Sequence, residues 1–554
     1  MRDNAPRVLI VGGVAGGATA AARARRVSES ADITLLERGP YVSFANCGLP
    51  YFLSGDISKR SSLLLQSPEG FDGRYGVKVK LETEALELDT KGKRVRTVGP
   101  DGEAWLEYDK LILAQGSNPI IPSLPGSGAP NAFKLWTVPD MDRVQAFLVN
   151  EKPKTAVVAG GGFIGLEMAE AFHARGLHVT VVELAPQVLT VMDREFGNVV
   201  ATHLGEHGIA VETGVGLKAV LEATHEVELS DGRKIPADLV LFSVGVRPEL
   251  ALGKQAGLTL GESGGLLVNE FLQTSDPSIW AAGDMVEVIQ KVSGRKVRVP
   301  LAGPANRQGR IAATNALGGA MRYRGALGSS VVKLLDATAA ATGLTEKAAR
   351  DAGFNVGVSV IHKDHHAGYF PGGKMLSLKL VYDRSIGRLL GAQAFGCEGV
   401  DKRIDVLATA LAGRLTLEDL SELDLAYAPP YSSANDPVNM AAFVGMNDLD
   451  GSSPLITADE LAAQFSPATD VILDVRNFGE YSKGHVPEAL NIPVDELRNR
   501  LSEVPRDKKI YVHCAVGFRG HLAVRILKQH GFPNPFNVTG GYTSMKASGL
   551  FSEE

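Results

Sequence analysis

Short apolar runs that end on glycine recur through the first half of the chain. Residues 7–12, Arg7-Val8-Leu9-Ile10-Val11-Gly12, read as a buried strand. The run continues into Gly13-Val14-Ala15-Gly16-Gly17 and an alanine-rich helical segment, Ala18 to Arg26. A second strand, Ile33-Thr34-Leu35-Leu36, ends on Glu37. Strand, glycine turn, helix and acid-terminated strand form the βαβ pattern that holds a dinucleotide. The glycines allow a tight turn and close backbone approach, the helix N-terminus faces the pyrophosphate, and the acid accepts from ribose hydroxyls. The middle glycine of the usual pattern is Val14 here, so this copy alone also fits a plain glycine-rich turn. A second copy is complete. Val157-Val158-Ala159 leads into Gly160-Gly161-Gly162-Phe163-Ile164-Gly165, a helix follows, and Val179-Thr180-Val181-Val182 ends on Glu183. Two such units imply two dinucleotides, one delivering electrons to the other.

The later pattern adds further layers. Leu111-Ile112-Leu113-Ala114-Gln115-Gly116, Val240-Leu241-Phe242-Ser243-Val244-Gly245 and Ile279-Trp280-Ala281-Ala282-Gly283-Asp284 are apolar strands ending in small residues. Residues 326–447 are a mixed stretch, with strands predicted at Ser330–Leu335 and Leu376–Tyr382. A polar linker spans 448–454. Beyond it, Val471-Ile472-Leu473-Asp474 runs into Val475-Arg476. The strand Ile510-Tyr511-Val512-His513 then opens into Cys514-Ala515-Val516-Gly517-Phe518-Arg519 and a helix.

At 554 residues the chain is too long for one hydrophobic core. Apolar residues make up 44% and charged residues 22%, an ordinary globular composition. The net charge of -6 argues against a general nucleic-acid binder. No apolar run approaches the roughly 20 residues that span a bilayer. The first residues read as a strand with no cleavage-site pattern, so a cytoplasmic location is the default expectation. Cys47, Cys397 and Cys514 are the three cysteines. An odd, sparse set is no disulfide framework, and without a Cys-x-x-Cys pair no metal site is expected. Thiol chemistry here must use single cysteines. At Cys514 the physical logic is local. A cysteine at a strand end begins a tight turn into a helix, so successive N–H groups surround its sulfur and stabilise thiolate or persulfide. Arg519 closes that loop and adds charge.

Across residues 7–445 the ordered motifs resemble the two-dinucleotide flavoprotein disulfide reductases, of the pyridine nucleotide-disulfide oxidoreductase family. The resemblance assigns FAD to the first fingerprint and NADH, with NADPH less favoured, to the second. FAD contacts are then expected from Gly12, Gly13, Val14, Ala15, Gly16, Gly17, Glu37, Arg38, Asn46, Ala114, Gly116, Gly283 and Asp284. Gly160, Gly162, Phe163, Ile164, Gly165, Glu183 and Gly245 fall to the nicotinamide nucleotide. Family members of the glutathione type place two cysteines just after the FAD acid. Here Ser43-Phe44-Ala45-Asn46-Cys47-Gly48-Leu49-Pro50-Tyr51 carries one, and Phe52 stands where the partner would fall. A lone cysteine works through a mixed disulfide and must be a thiolate, which a helix N-terminus and an adjacent flavin are expected to favour. Single-cysteine oxidases and peroxidases carry a histidine in the first glycine loop. The matching position is Ala15, and the motifs instead look like coenzyme A disulfide reductases and persulfide reductases.

That narrower resemblance implies coenzyme A as substrate or carrier, bound by Thr19, Arg23, Arg26, Ser43, Asn46, Asn306 and Tyr369. Thr19, Arg23 and Arg26 share one helix face, suited to phosphate. It further implies a homodimer in which Tyr369 and Tyr427 serve the partner's site. Where the family often has a phosphate-binding lysine, this chain has Asn435. Cys397 reads as structural. The last hundred or so residues resemble the rhodanese family, with Cys514 and Arg519 catalytic. Four residues separate the two, one fewer than in related phosphatase loops, which favours sulfur transfer. The expected fold is α/β, with two Rossmann-like dinucleotide-binding domains, an α+β dimerisation domain and a C-terminal α/β rhodanese domain. The FAD-binding domain would occupy 1–120 and 246–325, the NAD(H)-binding domain 121–245, the dimerisation domain 326–447 and the rhodanese domain 455–554. The expected activity is NAD(P)H reduction of small-molecule thiol persulfides or disulfides, or of polysulfide, with neither nucleic acid nor membrane as partner. The alternatives are an oxidase or peroxidase using a cysteine sulfenic acid, and a redox-sensing binding protein.

Overall fold

The computed structural model describes residues 5–549 and 551. The outer limits of the first and last expected domains, at Met1 and Glu554, lie outside them. The chain divides into two compact units, Met1–Leu184 with Gly208–Gly328, and Ala185–His207 with Ser329–Glu554.

The first unit is built on two five-stranded parallel sheets. One runs in the order Ile279–Ala281, Lys110–Leu113, Arg7–Val11, Asp32–Leu36, Val77–Lys80. The other runs Ile209–Thr213, His178–Glu183, Thr155–Ala159, Leu239–Phe242, Ala132–Phe133. In each sheet the central strand is the one that carries a glycine fingerprint at its C-terminal end. Such strands are covered on both faces and therefore read as continuous apolar runs. Val8, Leu9, Ile10, Val157 and Val158 are all buried. The first fingerprint helix spans Ala15–Val27, starting earlier than the expected Ala18 because the glycines themselves form its first turn.

The second unit has an antiparallel sheet in the order Ser330–Leu334, Ala337–Gly343, Arg388–Gly396, Met375–Asp383, Val356–Asp364. Helices Val400–Gly413 and Pro437–Leu449 pack on it. A C-terminal parallel sheet follows, in the order Leu455–Ile456, Pro535–Val538, Lys509–His513, Asp470–Asp474, Leu490–Asn491.

Lys379 lies fully buried in the antiparallel sheet. Its ammonium meets Glu195 at 2.5 Å, Asp193 at 2.9 Å and Glu346 at 3.1 Å. Burial works against the charge, but the three carboxylates hold its pKa well above the ordinary lysine value. A buried ion persists only when paired in this way, so Lys379 fixes the helix Arg194–Glu206 to this sheet. The polar segment after Leu449 is equally anchored. Asp448 accepts from Tyr382 Oη at 2.7 Å, Arg384 Nε at 3.0 Å and the Leu455 N–H at 2.9 Å.

His362 joins the antiparallel sheet to the C-terminal layer. Its Nδ1 is 2.8 Å from Ser377 Oγ and its Nε2 is 2.9 Å from Ser544 Oγ. Burial lowers its pKa to about 4. Once released, the imidazole titrates near the ordinary histidine value of 6.5. Neutral His362 therefore stabilises the packed arrangement above that pH. The contribution falls away as the pH drops from about 6.5 to about 4, by up to about 3 kcal/mol. Proteolytic cleavage within 448–454 should accelerate over that window, and His362→Gln should flatten the dependence.

Candidate active sites

Three backbones converge at the first fingerprint. Gly12 has φ +103°, and a Cβ there would lie 2.2 Å from the Ala114 carbonyl oxygen. A Cβ on Gly17 would lie 1.7 Å from the Gly12 oxygen, and one on Gly309 would lie 2.1 Å from the Gly16 oxygen. The helices Ala15–Val27 and Ala302–Ala316 thus touch through glycine. Val14, before the first of them, offers no capping side chain, so Ala15 and its neighbours open a helix N-terminus suited to pyrophosphate. Glu37 accepts from the Gly13 N–H at 2.8 Å and the Gly39 N–H at 2.7 Å. Ser117 donates to Asp284 at 2.7 Å, and burial raises the Asp284 pKa. Gln308 receives the Gly283 N–H at 2.7 Å. The Ala114 N–H reaches the Val11 oxygen at 2.8 Å, and Gly116 turns at φ +68°. Arg38 is held by Asn118 and Glu249, and Asn46 by the Trp136 carbonyl. Beside Ala114, the Oε1 of Gln115 is buried without a partner among the described residues. A polar group that a dinucleotide supplies fits that orphan and the Cβ-free cradle.

The second fingerprint repeats this construction. Gly160 has φ +110°, a Cβ on Gly165 would lie 1.9 Å from its oxygen, and Glu183 accepts the Gly161 N–H at 2.7 Å. Gly162 precedes the helix Phe163–Ala174, whose first turn contains Ile164, and Gly245 turns at φ +105°.

Cys47 lies in the turn Asn46–Gly48 that leads into the helix Leu49–Ser54. That helix packs on Phe163–Ala174. Its Tyr51 hydroxyl is 3.4 Å from Glu167 Oε1, and burial pushes the Glu167 pKa up to about 7. The Cys47 side chain is accessible. Even so, the packed surroundings, and after them Glu167, push its thiol pKa up. This corrects the expectation that a helix N-terminus would favour the thiolate. The helix has six residues, and the nearest charges are acidic. Glu167 escaped sequence reasoning, although a carboxylate within Phe163-Ile164-Gly165-Leu166-Glu167-Met168-Ala169 is a usable signal.

The helix Ala15–Val27 presents Thr19, Arg23 and Arg26 along one side. Thr19 Oγ1 donates to Asn306 at 2.9 Å, and Arg23 Nε donates to Thr314 at 2.9 Å. Burial, then Arg310 and Arg26, lowers the Arg23 pKa, the signature of crowded cations. Arg310 is an addition from a distant helix that sequence spacing did not reveal. Ser43 sits at φ +49° with its N–H on the Gly13 oxygen at 2.8 Å, which places its loop against the first cradle.

In the second unit, the exposed Tyr369 and Tyr427 hydroxyls pair at 2.9 Å. Asn435 offers only its backbone oxygen, 3.4 Å from Lys363 Nζ. Cys514 is buried at the end of strand Lys509–His513, and its Sγ accepts the Gly517 N–H at 3.1 Å. Gly517 turns at φ +102° into the helix Phe518–Gln529. Arg519 forks onto Glu480 at 2.7 and 2.6 Å, and Cys514 also contributes to raising its pKa. A cavity of about 300 Å³ opens beside this loop, lined by Val516, Gly517, Phe518, Met440 and Phe443.

Two glycine cradles, a lone accessible cysteine and a donor-lined loop around Cys514 define a flavin- and pyridine-nucleotide-dependent oxidoreductase. Residues 6–309 match the pyridine nucleotide-disulphide oxidoreductase family, 329–437 its dimerisation domain, and 457–548 a rhodanese-like domain. The chain belongs to that family. It is 36% identical over 438 residues to the NAD(P)H sulfur oxidoreductase (CoA-dependent) of Pyrococcus abyssi, covering 79% of this chain and 97% of that protein. The crystal structure of reduced Bacillus anthracis CoADR-RHD is 41% identical with a TM-score of 0.94, over 99% of both chains. An NAD-dependent persulfide reductase from A. fulgidus is 37% identical with a TM-score of 0.90, over 97% of this chain and 99% of that one.

Removing the Glu167 charge should lower the Cys47 pKa. Mass-resolved alkylation of Cys47 at neutral pH should run several-fold faster in Glu167→Gln. The inflection near pH 7 that wild-type inherits from Glu167 should disappear.

Proposed function

We propose that this chain uses NADH to reduce coenzyme A persulfide, coenzyme A disulfide or polysulfide through Cys47 alone, and that its rhodanese-like domain handles sulfane sulfur at Cys514. The observation that carries this reading is the lone Cys47 beside a dinucleotide cradle, in the same unit as the crowded cations Arg23, Arg26 and Arg310. Names of similar proteins support it, since they include coenzyme A-dependent sulfur and persulfide reductases. The oxidase or peroxidase alternative is less well supported, because Ala15 stands where such enzymes carry a histidine.

FAD, held by the first glycine cradle beside Glu37, would supply the two nicotinamide-derived electrons that reduce the Cys47 mixed disulfide back to thiolate and free the bound thiol. Glu167, whose pKa lies near 7, sets the charge beside Cys47 and so tunes its thiol. The thiolate then attacks a sulfur of the substrate, forming a mixed disulfide as sulfide or thiol leaves. The cations Arg23, Arg26 and Arg310, with Thr19, hold the phosphates of coenzyme A. In a homodimer, the phenol pair Tyr369–Tyr427 protonates the departing sulfur. At Cys514, the Gly517 N–H and Arg519 stabilise a persulfide.

Cys47→Ser should retain FAD and its reduction by NADH while persulfide reduction falls by orders of magnitude. Cys514→Ser should abolish sulfur transfer yet spare reduction of preformed coenzyme A persulfide. Steady-state assays of the two variants with both substrates test the division. Near-normal persulfide turnover in Cys47→Ser overturns it. A carboxylate at Glu183 accepts from the 2′-hydroxyl of NADH and repels the 2′-phosphate of NADPH, so kcat/KM should favour NADH. Glu183→Gln should narrow the ratio.

A further inference from the structure

Away from both thiol sites, the second unit brings three metal-ligating side chains together. His203 and His207 stand one turn apart on the helix Arg194–Glu206 and its C-terminal end, so both rings share one face. Asp336 sits at the tip of the hairpin between Ser330–Leu334 and Ala337–Gly343. His203 Nε2 lies 3.2 Å and His207 Nε2 lies 3.4 Å from the same oxygen, Asp336 Oδ1. One donor atom from each residue falls within 4.8 Å of the others. Among the described residues this is the single place where three such donors converge.

The surroundings orient these donors. His207 Nδ1 is 2.8 Å from the His203 carbonyl oxygen, so an Nδ1–H donated there leaves the Nε2 lone pair facing Asp336. Ligating histidines usually have their second nitrogen held in this way. A lone pair aimed at a carboxylate is unfavourable unless a proton or a cation lies between them. The edge of Phe395 packs on the His203 ring at a centroid distance of 5.5 Å and fixes its plane. His203 Nε2 also lies 3.2 Å from the Leu334 oxygen, which a proton satisfies when no metal is bound. Cys397 Sγ is 4.0 Å from the other carboxylate oxygen, Asp336 Oδ2.

We propose that His203, His207 and Asp336 bind one divalent transition-metal ion of the zinc class, with water completing the site. Two imidazoles and one carboxylate suit zinc, cobalt, nickel or copper, and disfavour magnesium or calcium, which take oxygen ligands. The ion joins the helix to the hairpin, so its role is a structural staple on the same helix that Lys379 anchors from the other end.

The test uses full-length, FAD-loaded protein in a Cys47→Ser/Cys514→Ser background, so that the other reactive thiols take up no metal. Chelator-stripped protein is dialysed against zinc chloride or magnesium chloride, and bound metal is counted by mass spectrometry. One zinc per chain is expected, with no magnesium uptake and a raised midpoint of thermal unfolding. His203→Gln/His207→Gln should abolish the zinc and the thermal shift. Asp336→Asn, at an exposed hairpin tip where folding is not at risk, should weaken zinc binding about 10-fold or more. Absence of stoichiometric zinc, zinc uptake that survives the double substitution, or equal uptake of magnesium overturns the proposal.

Discussion

The first unit depends on two places where a helix meets a strand end more closely than any side chain permits. At Gly17 against Gly12, and at Gly165 against Gly160, a single added carbon would fall within 2 Å of a carbonyl oxygen, at 1.7 and 1.9 Å. This contact brings each helix N-terminus to the end of its own sheet, where Glu37 in one and Glu183 in the other accepts a fingerprint N–H. The same closeness reaches the thiol chemistry. The helix after Cys47 rests on the helix that follows Gly165. Glu167 therefore meets Tyr51 and influences Cys47 only because Gly165 lets its helix sit where it does.

The parts of the fold legible in sequence are those whose cause is local. A βαβ fingerprint carries its glycines, its helix and its acid within a few dozen residues, and both fingerprints form as read. The loop from Cys514 to Arg519 is legible for the same reason, since its donors are its own backbone. Features that depend on distant segments were not legible. Arg310 joins Arg23 from a helix far along the chain, and Asp336 meets His203 and His207 across a hairpin. The burial and the distant Glu167 that raise the Cys47 pKa were likewise not legible, because the helix dipole is a local argument and they are not. At 448–454 the polar composition does not show which partners hold the segment. Asp448 binds Tyr382, Arg384 and the Leu455 backbone.

Cys47 and Cys514 sit in opposite electrostatic settings. Cys47 is open to solvent and faces carboxylates, so the chain by itself keeps it protonated. Cys514 is buried but faces donors, the Gly517 N–H and the Arg519 guanidinium, whose remaining charge is balanced by Glu480. The sulfur of Cys514 is thus met by donors from its own loop, whereas that of Cys47 is not.

The anchoring of Arg194–Glu206 by Lys379 has a consequence for synthesis. Glu195 leaves the ribosome 184 residues ahead of the ammonium that neutralises it. At typical elongation rates that gap lasts roughly 10–40 seconds. During that interval Glu195 lacks the ammonium it meets in the folded chain. The contact between Arg194–Glu206 and the antiparallel sheet can therefore form only after every strand of the first unit has left the ribosome.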